Sequence, residues 1–180
     1  MVSESESGAF EGTAHTFGDD VNTDYITPSD YFGLSYEEIA THLFEPIDPD
    51  FADRFEPGDV VVAGENFGSG SSRETAPKTL QVAGVSVVVA ESFARLFYRN
   101  GIAIGLPVVT CPGVTDAVSQ GDRVRVDLAN RTVTNETTGE RLPTEPMPAE
   151  IRSIFDAGGL LAHYEQHPEG LTLDVDAGSE

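Results

Sequence analysis

The chain has 180 residues and a mass of 19.2 kDa, which suits a single domain with a buried core. Ten Lys and Arg residues stand against 31 Asp and Glu residues, and the net charge of −21 argues against nucleic acid and anionic membranes as partners. A single Cys excludes an internal disulfide and cannot supply the thiolates of an iron–sulfur cluster or a structural zinc site. We expect one domain at 13–167, between flexible acidic tails at 1–12 and 168–180.

Charge and hydropathy also indicate where the protein works. No apolar run approaches the ~20 residues of a membrane helix, and the acidic start of the chain is unlike a signal peptide, so we expect a cytoplasmic protein. The apolar runs at 60–63 and 85–90 indicate a folded core, which places the acidic residues on the surface. Such a surface, with Lys78 as the one Lys, favours a halophilic, high-salt setting over an acidic mesophilic one.

The first predicted element is a short helix. Ser35 and Glu38 have the spacing of a capping box, which predicts a helix that runs from there toward His42. Residues 46–59 are rich in Pro and Asp, and we expect them to form an extended surface connection.

Strands and helices alternate after that connection. We expect a buried strand at 59–63, a Gly- and Ser-rich loop at 64–74, and a helix that begins at or just after Ser72 and ends before Gly84. The later elements are shorter: a strand at 85–90, a helix at 92–100 ended by Gly101, a strand at 107–110, an edge hairpin from 123–127 and 132–134, and helices at 150–157 and 160–167. This order predicts an α/β fold with a mixed sheet flanked by helices.

The loop at 64–74 is the candidate for chemistry, although three familiar motifs do not fit it. It lacks the Lys of a phosphate-binding loop, and Arg73 stands where a dinucleotide fingerprint would have its third glycine. Ser69 lies directly between two glycines, which does not match the nucleophile elbow of hydrolases.

Two adjacent serines and an arginine remain in this loop. Ser71 and Ser72 precede Arg73 at the predicted start of a helix, a position that favours an anion, and Arg binds carboxylates through two parallel hydrogen bonds. The loop therefore suits an organic acid. Alternatively, Ser71 or Ser72 only caps the helix, with Glu74 completing a capping box.

Other reactive residues receive structural interpretations. Cys111 ends an apolar strand and is expected to be a buried small hydrophobe. His163 and His167 have helical spacing but no third ligand, so we expect no metal site. For Arg95 and Arg99 we expect packing and surface ion pairs, although they could also reach the site or a partner subunit.

Longer stretches of the chain resemble a known family. Residues 60–109, with Gly-x-Gly-Ser-Ser-Arg-Glu at 68–74 and Glu-Ser-Phe-Ala-Arg at 91–95, are similar to the signature block of the aconitase-type swivel domain. FGDDVNTDYITPSDYF at 17–32 and IRSIFDAGGLLAHYEQ at 151–166 resemble the family's opening motif and closing helix. The resemblance is strongest to the separate small subunits of 3-isopropylmalate dehydratase and homoaconitase, and it implies a swivelling β/β/α domain.

The resemblance also implies a reaction. In this family a hydroxy acid is dehydrated and rehydrated through an enoic acid, with a [4Fe–4S] cluster on the large subunit as Lewis acid toward the departing hydroxyl. This implies a hydro-lyase that is active only with a cluster-binding large subunit, in a heterodimer or heterotetramer. The motif match implies that Ser71 exchanges the substrate α-proton, that Asp24 orients groups around it, and that Ser72 and Arg73 hold a substrate carboxylate.

The segment after Asp24 is expected to bind the substrate tail. The further substrate-binding residues implied by the match are Thr27, Phe32, Gly33 and Leu34. The region lacks the Arg that relatives use for a carboxylate tail, which favours an isopropyl-like tail and 2- or 3-isopropylmalate as substrate. Homoaconitate or another substituted malate is an alternative.

The chain departs from the family's loop at two positions. It has Ser69 where Cys is common and Thr75 where His is common. These departures leave a second alternative open, a carboxylate-binding module without catalysis, whereas the intact Ser71, Ser72 and Arg73 favour an enzyme.

Overall fold

A computed structural model describes residues 8–168, which form one mixed sheet flanked by helices. The strands are β1 (Ala9–Thr16), β2 (Val60–Ala63), β3 (Val87–Ala90), β4 (Val108–Thr110), β5 (Arg123–Asp127), β6 (Thr132–Asn135) and β7 (Arg141–Pro143). The helices are α1 (Thr23–Ile26), α2 (Tyr36–Ala40), α3 (Phe51–Arg54), α4 (Thr75–Ala83), α5 (Arg95–Ile104), α6 (Val114–Ala117), α7 (Ala149–Ala157) and α8 (Leu160–Gln166). A 3₁₀ turn at Ser29–Tyr31 follows α1.

The seven strands of the sheet lie in the order β4-β3-β2-β1-β5-β6-β7. Strands β1 to β4 are parallel, with Ala14 opposite Val60 and Val61 opposite Val88, whereas β5, β6 and β7 add antiparallel neighbours on the other side of β1. The fold thus has a parallel half and an antiparallel half that meet at β1. This confirms the predicted α/β class with a mixed sheet.

The parallel half supplies the centre of the core. Both β2 and β3 have the sequence VVVA, and every residue in them is fully buried. Strands covered on both faces need continuous apolar side chains rather than alternating ones, which is why the sequence revealed them. Helix α2 packs against α4, and α5 packs against α7 and α8.

The predicted N-terminal boundary is wrong, because residues 9–12 belong to β1 and not to a tail. The sequence of β1 is AFEGTAHT, whose small and polar residues hide its central position. Buried His15 is accommodated by Asp59, whose Oδ2 lies 2.9 Å from His15 Nε2. Most of the predicted C-terminal tail, at 169–180, lies outside the described residues.

Two connections also differ from expectation. The stretch 46–59 contains α3, whose Phe51 is buried among other aromatic rings, so it is not an extended surface segment. The predicted edge hairpin is internal, because β5 lies between β1 and β6, and β7 covers β6.

The helices on either side of β3 begin later than predicted. Helix α4 begins at Thr75, and α5 runs over Arg95–Ile104 instead of 92–100. Gly101 lies inside α5, where a Cβ would come within 3.0 Å of Val108 Cγ1. Gly105, with φ of 82°, ends the helix in the left-handed conformation that glycine tolerates. Close packing, rather than helix termination, explains Gly101.

The predicted capping box is confirmed: Ser35 and Glu38 cap α2.

Candidate active site

The candidate loop at 64–74 begins at the carboxyl end of β2. The segment 17–22 follows β1 and runs beside this loop. Because β1 and β2 are parallel, both segments leave the sheet at the same edge, which is where open α/β sheets bind ligands.

Several hydrogen bonds join the loop to the segment 17–22 and to Thr23 at the start of α1, and three of them lie close to the two serines. The Gly68 N–H donates to Val21 O over 2.7 Å, and the Thr23 N–H donates to Ser69 O over 2.8 Å. The Ser71 N–H donates to Thr23 Oγ1 over 3.1 Å. Thr23 was not among the predicted site residues, although it lies inside the motif at 17–32.

Two glycines allow this close approach. Gly70 has a φ of 105°, and a Cβ there would lie 3.2 Å from Thr23 Oγ1. A Cβ at Gly68 would overlap the ring of Phe97. The loop therefore has little room between α1 and α5.

Ser71 is exposed and does not cap a helix. Its Oγ accepts a hydrogen bond of 3.3 Å from the Arg73 N–H. The N-cap position of α4 belongs to Glu74, which makes no side-chain capping bond. The capping alternative is therefore wrong. The placement of Ser71 directly at a helix start is wrong as well, since Thr75 is the first helical residue.

Asp24 lies on the short helix α1 and Thr27 is its C-cap, while Asn22 caps the other end through a 2.9 Å bond from the Tyr25 N–H to Asn22 Oδ1. Asp24 is exposed and adjoins Thr23, the residue that touches the serine loop. Thr27 is 1% exposed, and its hydroxyl donates to Thr23 O over 3.2 Å. These contacts show that Thr27 helps to end α1, and its expected substrate-binding role stays a prediction.

Arg73 and Phe32 meet although they are distant in sequence. The guanidinium carbon of Arg73 lies 5.1 Å from the centroid of the Phe32 ring, and both side chains are exposed. Within residues 8–168 Arg73 forms no ion pair. An exposed cation–π contact contributes ~0.5–1 kcal/mol, whereas hydrogen bonds to a charged group contribute ~1.5–3 kcal/mol. The ring contact is therefore too weak to prevent Arg73 from binding a carboxylate.

The segment after Tyr31 presents an exposed apolar surface, and Tyr31 itself is held in place by His42 and Glu45. The Tyr31 ring stacks on His42 at 3.7 Å between centroids, and its hydroxyl donates to Glu45 over 3.0 Å. Hydrogen bonds from His42 and Tyr31 lower the pKa of Glu45, which keeps this acceptor ionised. Beyond Tyr31, Phe32 is 38% and Leu34 is 46% exposed.

Asn100 is a second contact that sequence reasoning missed. It lies on α5, and its Nδ2 donates to Ser72 O over 3.2 Å. One turn earlier, Phe97 lies beneath Gly68 and packs edge-on against Phe67 at 5.1 Å. Helix α5 thus fixes one side of the loop, as Thr23 fixes the other.

The remaining candidates lie away from the loop. Cys111 is buried as expected, and burial raises the pKa of its thiol to about 12. The His163 and His167 rings stack, and His163 Nε2 lies 2.9 Å from Ser153 Oγ. Among the described residues no group of three or more His, Cys, Asp and Glu side chains has the arrangement of a metal site, and no helix is long and apolar enough to span a membrane.

The comparisons with known proteins agree on one family. The Aconitase C-terminal domain family model matches residues 37–112. A 3-isopropylmalate dehydratase small subunit 2 from Archaeoglobus fulgidus is 48% identical over 158 residues, covering 87% of this chain and 94% of the relative. An isopropylmalate/citramalate isomerase small subunit from Methanocaldococcus jannaschii is 44% identical over 157 residues, covering 87% and 94%.

A solved structure supports the same relationship. The crystal structure of a 3-isopropylmalate dehydratase from Methanocaldococcus jannaschii is similar with a TM-score of 0.84 and 38% sequence identity. The similarity covers 89% of this chain and 96% of that one.

Proposed function

This chain belongs to the family of 3-isopropylmalate dehydratase small subunits, and we propose that it supplies the proton-transfer and carboxylate-binding groups of a two-chain hydro-lyase. The substrate we assign is 2- or 3-isopropylmalate, interconverted by loss and return of water in leucine biosynthesis. The observation that carries the proposal is the exposed Ser71 and Arg73 on a loop fixed by α1 and α5.

Ser71 is assigned as the base that exchanges the α-proton. As an alkoxide, its Oγ takes the proton, the C–H electron pair forms the C=C bond of the enoic acid, and the C–O bond to the hydroxyl breaks. The departing hydroxide and the proton taken up by Ser71 together make up the water that is lost, and its return with hydroxyl and proton on exchanged carbons gives the isomer. A free hydroxyl is too weak a base at neutral pH, so the oxyanion needs support, which the Arg73 N–H at 3.3 Å begins to supply.

Ser72 and Arg73 are assigned to a substrate carboxylate. Arg73 forms no ion pair within residues 8–168, and its weak ring contact with Phe32 leaves it able to bind a carboxylate. Asp24, exposed beside Thr23, is assigned to orient the groups around Ser71.

The substrate tail is assigned to the surface formed by Phe32, Gly33 and Leu34. Two exposed apolar side chains favour an isopropyl group over a carboxylate tail. This is the observation that ranks isopropylmalate above homoaconitate.

The departing hydroxyl needs an acceptor that this chain does not provide. An iron–sulfur cluster needs several thiolates, and the single Cys111 is buried with its pKa raised to about 12. The residues of this chain therefore do not fit a [4Fe–4S] cluster, and we assign the cluster to the large subunit.

The setting is inferred from charge. Arg54 pairs with Asp48 and Arg123 with Glu11, but 31 acidic residues face only ten Lys and Arg in the whole chain. Self-repulsion of this size favours a high-salt cytoplasm, where the screening length falls to about 3 Å at 1 M salt.

The test reconstitutes the enzyme under anaerobic conditions. This chain, a cluster-loaded large subunit, and the mixture are each given 3-isopropylmalate, citramalate and homoaconitate, and the ultraviolet absorbance of the unsaturated acid is followed. Activity only in the mixture, with the highest kcat/KM for 3-isopropylmalate, is expected. Turnover by this chain alone, or a bound pair without activity toward any of the three acids, would refute the proposal.

A further inference from the structure

The exposed face of α5 beside the serine loop carries two cations that the proposed reaction does not use. Arg95 and Arg99 are one helical turn apart and exposed, and Leu96 between them is 48% exposed. Neither arginine forms one of the expected surface ion pairs within residues 8–168.

A cavity of about 450 Å³ opens beside this face, at the carboxyl ends of β3 and β4. Arg95, Tyr98 and Arg99 line it together with Glu91 and Glu145. Burial favours the neutral form of Glu91, but hydrogen bonds from Gly113 and Thr115 outweigh it and lower the pKa. These bonds engage both carboxylate oxygens.

The other acidic group of the cavity is Glu145. Among the described residues its carboxylate accepts no hydrogen bond, and it forms no ion pair with Arg95 or Arg99. Arg95 and Arg99 are thus two cations without an ion pair in the described part of a chain whose net charge is −21.

The position of α5 ties this face to the candidate site. Asn100 contacts Ser72, and Leu96 lies four residues, ~6 Å, from Asn100 along the helix. A standard interface buries ~800 Å² per partner, equivalent to a disc of ~16 Å radius. An interface of this size that is centred on Ser71 is large enough to include the exposed face of α5.

We propose that Arg95, Leu96 and Arg99 form a docking surface for an acidic segment of the large subunit. This rests on the proposed function for the existence of that partner. The chemistry is that of protein interfaces, in which arginine is enriched and an apolar centre is surrounded by charged groups. The net negative charge of this chain repels an acidic partner elsewhere, so these arginines also direct its approach.

The experiment measures the dissociation constant of the two full-length subunits by biolayer interferometry, at a KCl concentration at which the unmodified pair binds. The double variant Arg95→Glu/Arg99→Glu is compared with Arg131→Glu/Arg141→Glu, which makes the same change in charge near the far edge of the sheet. We expect Arg95→Glu/Arg99→Glu to raise the dissociation constant tenfold or more, and Arg131→Glu/Arg141→Glu to raise it less than twofold. Leu96→Ser is expected to weaken binding severalfold.

Three outcomes would overturn this inference. They are equal effects of the two double variants, no effect of either, and a raised KM with an unchanged dissociation constant, which would assign the arginines to substrate. If circular dichroism shows that Arg95→Glu/Arg99→Glu does not fold, Arg95→Gln/Arg99→Gln is tested by the same criterion. A wild-type pair that binds without turning over any acid would refute the proposed function, while the dissociation constants still decide this inference.

Discussion

Replacing Ser71 with Ala separates catalysis from structure, because its hydroxyl contributes little to the fold. In the described residues Oγ makes one hydrogen bond, accepted from the Arg73 N–H at 3.3 Å on an exposed loop. Its loss costs at most about 1 kcal/mol, and water can replace it. The bond that fixes the loop, from the Ser71 N–H to Thr23 Oγ1, belongs to the backbone and survives in Ser71→Ala.

Loss of a general base lowers the rate by ~10²–10⁴-fold. We therefore expect kcat of the assembled enzyme to fall at least a hundredfold, with the melting temperature and the affinity for the large subunit unchanged. Ser69→Ala, in the same loop but without an assigned role, is the matched control and should retain activity. A Ser71→Ala enzyme that keeps more than a tenth of wild-type kcat, a loss under ~1.4 kcal/mol, would show that Ser71 is not the base.

The other predictions test the carboxylate, the support of the loop and the acidic surface. Arg73→Lys should raise KM at least tenfold with a smaller change in kcat, because an ammonium cannot reproduce the two-point contact; unchanged steady-state kinetics would contradict this. Thr23→Val removes the acceptor of the Ser71 N–H and should lower kcat, whereas Thr23→Ser should restore it; equal activity of the two would exclude a positioning role. Lowering KCl from about 1 M to about 0.1 M lengthens the screening length from ~3 to ~10 Å and should lower the melting temperature, and a constant melting temperature would favour the mesophilic interpretation.

Features with a local signal could be predicted from the sequence. The Val-rich runs revealed β2 and β3, because strands buried on both faces are apolar throughout. Ser35 and Glu38 are three residues apart, and their capping box forms within one helical turn. The loop at 64–74 was visible from its glycines and serines alone.

Features that depend on residues distant in the sequence could not be predicted. Strand β1 occupies the middle of the sheet, but its His15 is buried only because Asp59, 44 residues later, provides a carboxylate. Gly101 has the sequence context of a helix end, yet it lies inside α5 because Val108 packs against it. No local pattern distinguishes these cases, since the deciding contact is made by another element.

The same limit applies to the site, and it explains how the loop is organised. The serines were found through their motif, but Thr23 contacts the loop across 48 residues and Asn100 across 28. Both contacts are to backbone atoms, of Ser71 and Ser72 respectively, so neither contact uses the hydroxyl groups of these two serines. A site held in this way keeps its geometry without engaging its reactive groups, as pre-organisation for proton transfer requires. The alternative, a loop held through its own hydroxyls, would have to break those bonds before each turnover.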